Sequence, residues 1–156
     1  MQTTAPKTHL IKVNSTKAPE FIDITDQVKE CFKDSGLNNG CAIVFSQHTT
    51  AAIKINENEP LLLQDMEEFI DRISPKSREY RHNDFTIRTV NMTEDECPNG
   101  HSHCQHLIFG SSESIPLVDG TMTLGEWQRI FMVELDGEKA TQVGNRKVVV
   151  QILGQC

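Results

Sequence analysis

Residues 40–60 read Gly40-Cys41-Ala42-Ile43-Val44-Phe45-Ser46-Gln47-His48-Thr49-Thr50-Ala51-Ala52-Ile53-Lys54-Ile55-Asn56-Glu57-Asn58-Glu59-Pro60. Cys41 to Phe45 is a short apolar run, which predicts a strand over Gly40–Gln47. After the polar triplet His48-Thr49-Thr50, Ile53 and Ile55 continue a period-two pattern, so a second strand follows. Pro60 suits the first turn of a helix, where its missing N–H is not needed. That helix is expected to run to Ile73, with Leu62, Met66, Phe69, Ile70 and Ile73 on one stripe and Ser74-Pro75 ending it.

The pattern extends in both directions. Residues 1–8 are polar and without period, and are expected to form a flexible arm ahead of a single domain over 9–156. His9–Asn14 and Phe21–Ile24 read as strands. Thr25 or Asp26 would cap a helix with Val28, Cys31, Phe32 and Ser35 inward and Gly36 at its end. Beyond Ile73, Asp84–Val90 alternates with Phe85, Ile87 and Thr89 on one face and reads as a strand. Asn99 would cap a helix over Gly100–Phe109. Ser111–Ser114 reads as a turn, Ile115–Val118 as extended, and Asp119-Gly120 as a hairpin turn. Trp127–Leu135 is a long strand with Trp127, Arg129, Phe131, Val133 and Leu135 on one face. Asp136-Gly137 turns the chain, Ala140–Asn145 extends the turn, and Arg146–Ile152 is the last strand. Many strands with about three helices predict an α+β domain built mostly on antiparallel sheet.

A chain of 156 residues with 37% hydrophobic and 24% charged residues can bury one core. The net charge of −7, without a Lys/Arg run, argues against nucleic acid as a partner. No apolar run is long enough for a membrane span. Five cysteines, with no Cys-x-x-Cys pair and no leader-like segment, predict reduced thiols in the cytoplasm. Cys104 is expected to be packed and Cys97 exposed.

Chemistry concentrates in Asn99-Gly100-His101-Ser102-His103-Cys104-Gln105-His106, which holds three of the six histidines. Neutral imidazole is both a metal ligand and an acid/base group near neutral pH. On a helix His103 and His106 share a face, whereas His101 and His103 diverge. A metal would therefore use His103, a neighbour and an outside ligand. His48, at a strand end, is the best outside candidate. The same residues also fit surface or capping histidines. The helix start near Asn99 offers free N–H groups to an anion, with Ser111 and Ser112 as possible helpers. Thr49, Thr50, Glu57, Asn58 and Asp65 add hydroxyls, an amide and carboxylates that suit substrate binding, and equally suit caps and salt bridges. Asp65, among apolar neighbours, is expected to be partly buried. Trp127-Gln128 reads as core or interface packing.

An ordered set of short pieces carries a resemblance. It comprises His48-Thr49-Thr50-Ala51-Ala52, Asn56-Glu57-Asn58-Glu59-Pro60, Tyr80-x-His82, Asn99-Gly100-His101-Ser102-His103, Gly110-x-Ser112-Glu113-x-Ile115-Pro116, Asp119-Gly120 and Leu124-Gly125-x-Trp127-Gln128-x-Ile130. Together, over Phe21 to Gly154, they resemble the YjbQ family, also called secondary thiamine-phosphate synthase-like. The resemblance implies a compact α+β subunit, a homotrimer with sites between subunits, and an enzyme acting on a small phosphorylated metabolite, with weak thiamine-phosphate synthase activity as the specific case. The alternative is a trimeric metal- or ligand-binding protein without turnover. By matched position, His48, Glu57 and His103 are the catalytic candidates. Thr49, Thr50, Asn58, Asp65, Asn99, Ser112 and Gln128 are the substrate-binding candidates. His48, His101 and His103 are the candidate ligands of a divalent metal, zinc or magnesium. Cys104, Glu126 and Glu138-Lys139 depart from the family pattern. If a usual arginine after Asp136-Gly137 contacts ligand, Lys139 or Arg146 must replace it.

Overall fold

The protein was analysed as a computed structural model that describes residues 5–140 and 146–155. In chain order the elements are β1 (Lys7–Val13), β2 (Glu20–Asp23), α1 (Thr25–Ser35), β3 (Asn39–Ser46), β4 (Ala51–Glu57) and α2 (Pro60–Ile73). A 3₁₀ turn (Arg81–Asn83) precedes α3 (Gly100–Phe109), β5 (Ser112–Val118), β6 (Thr121–Met122), β7 (Gln128–Glu134), the short α4 (Gly137–Ala140) and β8 (Arg146–Gln155). The strands form two antiparallel sheets, β1-β8-β3-β5-β6 and β2-β7-β4.

The three-stranded sheet is buried on both faces, and its central strand shows how. Ile130 and Met132 of β7 join a core with Val44 of β3, Ile115 of β5 and Val148, Val150 and Ile152 of β8, closed at one end by Val28 of α1. Phe131 and Val133 point the other way, into a second core with Phe21, Ile70 of α2 and Phe109 of α3. The uninterrupted run Ile130-Phe131-Met132-Val133 is what a strand covered on both faces requires. The layers are therefore five-stranded sheet, three-stranded sheet and helices.

Several local expectations need correction. β1 starts at Lys7, so Lys7 and Thr8 belong to the sheet, not to an arm. Residue Ile24, not Thr25 or Asp26, is the N-cap of α1, and the N–H of Thr25 donates to Asp23 Oδ1 at 2.9 Å. In α2 the inward seam is Leu63, Met66 and Ile70, while Phe69 and Ile73 are exposed. Ser112–Ser114 is strand, not turn.

Asp84–Val90 is not a strand. Asp84 Oδ1 accepts from both the backbone N–H and the hydroxyl of Thr86, and its carbonyl accepts from Ile87 and Arg88. This local turn uses the groups that a ladder would need, and Phe85, Ile87 and Val90 stay exposed. The predicted turn over Ala140–Asn145 begins at the end of α4, and 141–145 lie outside the described residues. Among the described residues, no helix is long and apolar enough to cross a membrane.

Two glycines are dictated by close approach. A Cβ on Gly40 would lie 1.9 Å from the Leu153 carbonyl oxygen, where β3 crosses β8. A Cβ on Gly100 would lie 2.7 Å from Tyr80 Cβ, which is how α3 closes on the 3₁₀ turn.

Two ionic contacts among the described residues tie the sheets, a partly exposed one from Lys54 of β4 to Glu113 of β5 at 2.9 Å and a buried one at the ends of β7 and β8. Glu134, at the end of β7, is fully buried and pairs in bidentate fashion with Arg146, at the start of β8. The same carboxylate accepts from Ser15 Oγ at 2.8 Å and from the N–H groups of Leu135 and Asp136 at 3.1 and 3.0 Å. Removing one partner strands the other charge, which costs about 3–5 kcal/mol. Glu134→Gln is therefore expected to lower stability by that amount in urea unfolding, and adding Arg146→Met should recover part of the loss. A change below about 1 kcal/mol for the single variant contradicts this account.

Candidate functional site

Five segments that meet at the Glu134–Arg146 end of the sheets leave a cleft of about 860 Å³. The β3–β4 turn brings His48, Thr49 and Thr50. The β7–α4 turn brings Asp136 and Lys139, and the start of β8 brings Arg146. The irregular stretch between α2 and α3 brings Arg81, His82, Arg88 and Glu96, and α3 closes the cleft with Asn99 and His103.

Each wall is anchored by contacts of long sequence separation. Ser102 Oγ donates to the Leu135 carbonyl at 2.6 Å and Asn99 Nδ2 donates to Asp136 Oδ2 at 2.8 Å, which seats α3 on the end of β7. Asn99 makes no side-chain cap on its own helix; Asn83 Oδ1 accepts from the Gly100 N–H at 2.8 Å instead. The outer wall is held by Arg88 to Glu96 at 3.1 Å and by Lys139 to Asp95 at 3.1 Å.

The sequence candidates divide among several places. His48, Thr49, Thr50, Asn99 and His103 share the cleft. His101 does not line it. Two residues apart on a helix point to nearly opposite sides, and His101 is buried against Tyr80, ring centroids 6.3 Å apart. Glu57 and Asn58 line a different depression beside Asp23, Trp127 and Arg129, with Asn58 Nδ2 donating to Asp23 Oδ2 at 2.9 Å. Asp65 is exposed on α2 rather than partly buried. Gln128 Oε1 accepts from the Gly125 N–H at 2.8 Å, in a hollow with Lys54 and Glu113. Ser111 and Ser112 lie past the C-terminal end of α3, so they cannot assist an anion at its start. Cys104 is exposed and Cys97 half-buried, the reverse of expectation. Trp127 is 65% exposed.

The cleft also gathers residues without a local motif. Asp136 read only as a turn and Arg88 only as part of the expected strand Asp84–Val90, while Arg81 and Glu96 fell outside every expected element. His82 was marked by the family pattern alone; its ring meets that of His103 edge-on with centroids 4.7 Å apart. Its Nε2 is sealed from solvent with no hydrogen-bond partner among the described residues.

Four of the imidazoles, His48, His101, His103 and His106, are tuned toward neutrality. Burial, then the nearby Arg146, pushes His48 below the ordinary value of 6.5. Burial, then His82, does the same for His103. His101 and His106 are lowered chiefly by burial as well. His48 Nε2 accepts the Lys147 N–H at 2.8 Å, so that nitrogen is already engaged. Among the described residues, no three His, Cys, Asp or Glu side chains converge as a metal centre. The set His48, His101 and His103 is not assembled within one chain, because His101 faces Tyr80.

Residues 9–155 match the family described as UPF0047 protein YjbQ-like. The chain belongs to this family. A UPF0047 protein of Methanothermobacter thermautotrophicus is 36% identical over 148 residues, covering 95% of this chain and 92% of that protein. The crystal structure of a YbjQ-like protein from Sulfolobus solfataricus has a TM-score of 0.84 at 34% identity and covers 97% of this chain and 99% of that one. A protein from Aeropyrum pernix has a TM-score of 0.76 at 31% identity, covering 97% of this chain and 100% of that chain. In this YjbQ-like chain both Lys139 and Arg146, the two candidates to replace the usual arginine, line the cleft.

The histidine shifts have one sign. Each of these four rings binds its proton less tightly folded than unfolded. Stability is therefore complete above 6.5, falls as pH drops through that value, and the loss levels off below the lowered folded values. Thermal unfolding is expected to show a lower Tm at pH 5.5 than at pH 7.5, and His103→Gln should reduce the difference. An equal or higher Tm at pH 5.5 contradicts the neutral-histidine picture.

Proposed function

We propose that this YjbQ-family chain is an enzyme that acts on a small phosphorylated metabolite bound in the histidine cleft. One observation carries the reading: in a chain of net charge −7, the cleft is lined by four cationic side chains, Arg81, Arg88, Lys139 and Arg146, against Glu96 and Asp136. Arg88 and Arg146 are committed to Glu96 and Glu134, and Lys139 to Asp95, whereas Arg81 makes no ion pair among the described residues. Arg81 is thus the cation that costs least to redirect to a phosphate. His103, half-buried and neutral, is the group suited to move a proton.

The specific reaction favoured by resemblance is thiamine phosphate formation. A thiazole nitrogen would attack the methylene carbon of a pyrimidine diphosphate, forming a C–N bond as the C–O bond to diphosphate breaks. The cations would stabilise the departing diphosphate. Residues that one chain leaves apart from the cleft, Glu57, Asn58, Asp65, Ser112 and Gln128, would be brought by neighbouring subunits of a homotrimer. Exposed apolar side chains on α2 and α3, with Leu107 84% exposed, support such an assembly. The free thiols of Cys31, Cys41, Cys97 and Cys104 support a cytoplasmic setting.

A non-catalytic metal-binding reading is favoured by the sealed, unpartnered Nε2 of His82 beside His103. Imidazole donors suit zinc better than magnesium. Zinc there would supply Lewis-acid charge to a bound oxygen.

Calorimetry with inorganic diphosphate is expected to show binding that weakens roughly tenfold in Arg81→Ala, the loss of one charge-assisted hydrogen bond. Turnover of phosphorylated precursors should vanish in His103→Ala. Bound zinc without any turnover would favour the second reading, and monomer mass alone in light scattering would remove the trimer.

A further inference from the structure

The histidine at the β3–β4 turn has a hydrogen-bond arrangement that restricts its chemistry. The Lys147 N–H, in β8, donates to His48 Nε2 at 2.8 Å. A backbone N–H only donates, so Nε2 must present its lone pair. The ring is otherwise neutral or doubly protonated, and the doubly protonated form has no lone pair to offer. The proton therefore sits on Nδ1. This nitrogen has no partner among the described residues, is not among the buried unpartnered atoms, and belongs to a side chain that lines the cleft.

Metal ligation by His48 conflicts with this arrangement at both nitrogens. Ligation through Nε2 displaces the Lys147 N–H. Ligation through Nδ1 moves the proton to Nε2, where it opposes that same N–H. The Lys147 bond is part of the β3–β8 junction: Ser46 pairs with Val148 in the ladder, and the Gln47 N–H donates to the Lys147 carbonyl at 3.3 Å. A metal on the ring would leave this N–H facing a cation in place of an acceptor.

Thr50 has a matching character. Its Oγ1 accepts from Arg146 Nη2 at 3.2 Å, and the side chain is 6% exposed. Its hydroxyl proton has no acceptor among the described residues, so Thr50 offers a donor. Arg146 is a donor by nature. This floor of the cleft therefore selects an acceptor.

We infer that His48 is locked as its Nδ1–H form by Lys147 and, with Thr50, donates to an anionic oxygen of the ligand rather than binding a metal. The ligand class, an oxyanion, rests on the phosphate reading of the cleft. The tautomer does not.

Two experiments separate these parts. Proton–nitrogen NMR of the ¹⁵N-labelled full chain near neutral pH is expected to place the His48 proton on Nδ1 and to show a bare Nε2. A proton on Nε2, or on both nitrogens, overturns the inference whatever the cleft binds. Inorganic phosphate is then titrated into wild type and two variants. In His48→Gln, Oε1 can take the place of Nε2 and keep the Lys147 bond, but the donor at the Nδ1 position is lost. In His48→Asn, Nδ2 takes the place of Nδ1 and keeps the donor. Phosphate affinity is expected to fall roughly tenfold in His48→Gln and to stay within about threefold in His48→Asn, the size of one hydrogen bond to a charged group. Equal affinity in wild type and His48→Gln overturns the donor role and leaves the phosphate reading standing. No phosphate binding by wild type overturns the phosphate reading and the donor's ligand class, and leaves the tautomer to the NMR result. Thermal unfolding checks that both variants are folded; if either is not, the wild-type spectrum, with and without phosphate, decides.

Discussion

The bidentate pair between Glu134 and Arg146 is the contact on which the working end of the molecule depends. It joins the last residue of β7 to the first of β8, one strand from each sheet. A charge pair this deep is stable only when its remaining hydrogen-bonding capacity is met. Here Ser15, two backbone N–H groups and Thr50 meet it. The contact then propagates. It holds the start of β8, which sets the Lys147 N–H, which orients the His48 ring. It also holds the Leu135–Asp136 corner on which Ser102 and Asn99 seat α3. The walls that carry His48 and His103 are thus both referred to one buried carboxylate.

Parts of the fold were legible wherever burial is one-sided and periodic. The strand–turn–strand–helix over residues 40–73 follows from Cys41–Phe45, Ile53, Ile55 and Pro60, and α1 ends at Gly36 with φ of 67° as its sequence suggests. The hairpin at Asp119-Gly120 likewise has φ of 47° and 75° at its two turn residues. Asp84–Val90 misled because alternation records which side chains share a face, not whether a neighbouring edge exists. In this stretch Asp84 captures the backbone first. For β7 the reading of a single inward face was incomplete, since an alternation rule cannot see that a second layer of helices covers the other side.

The site was legible by residue type and illegible by direction. His48, Thr49, Thr50, Asn99 and His103 do share one cleft. His101 was placed with them because it is adjacent in a motif, while the helix turns it toward Tyr80. Arg81, Asp136 and Glu96 carry no local signature; Asp136, for one, takes its place through Asn99, 37 residues away. Asn99 illustrates the limit well: its type suits a cap, yet its amide is committed to Asp136, and the cap comes from Asn83 across the 3₁₀ turn.

The outer wall of the cleft has a different character from its floor. The floor is fixed by desolvated groups, but the stretch between Asp84 and Pro98 has no ladder, exposes its apolar side chains and is fastened by Arg88–Glu96 and by Lys139 to an exposed Asp95. The fastening of Lys139 to the exposed Asp95 weakens as the Debye length shrinks to about 3 Å at molar salt, whereas the Arg88–Glu96 pair, 14% and 16% exposed, and the desolvated floor are screened far less. Ionic strength therefore acts on this molecule as a selective solvent for one fastening: it loosens the Asp95 end of the entrance while the histidine floor beneath stays in register.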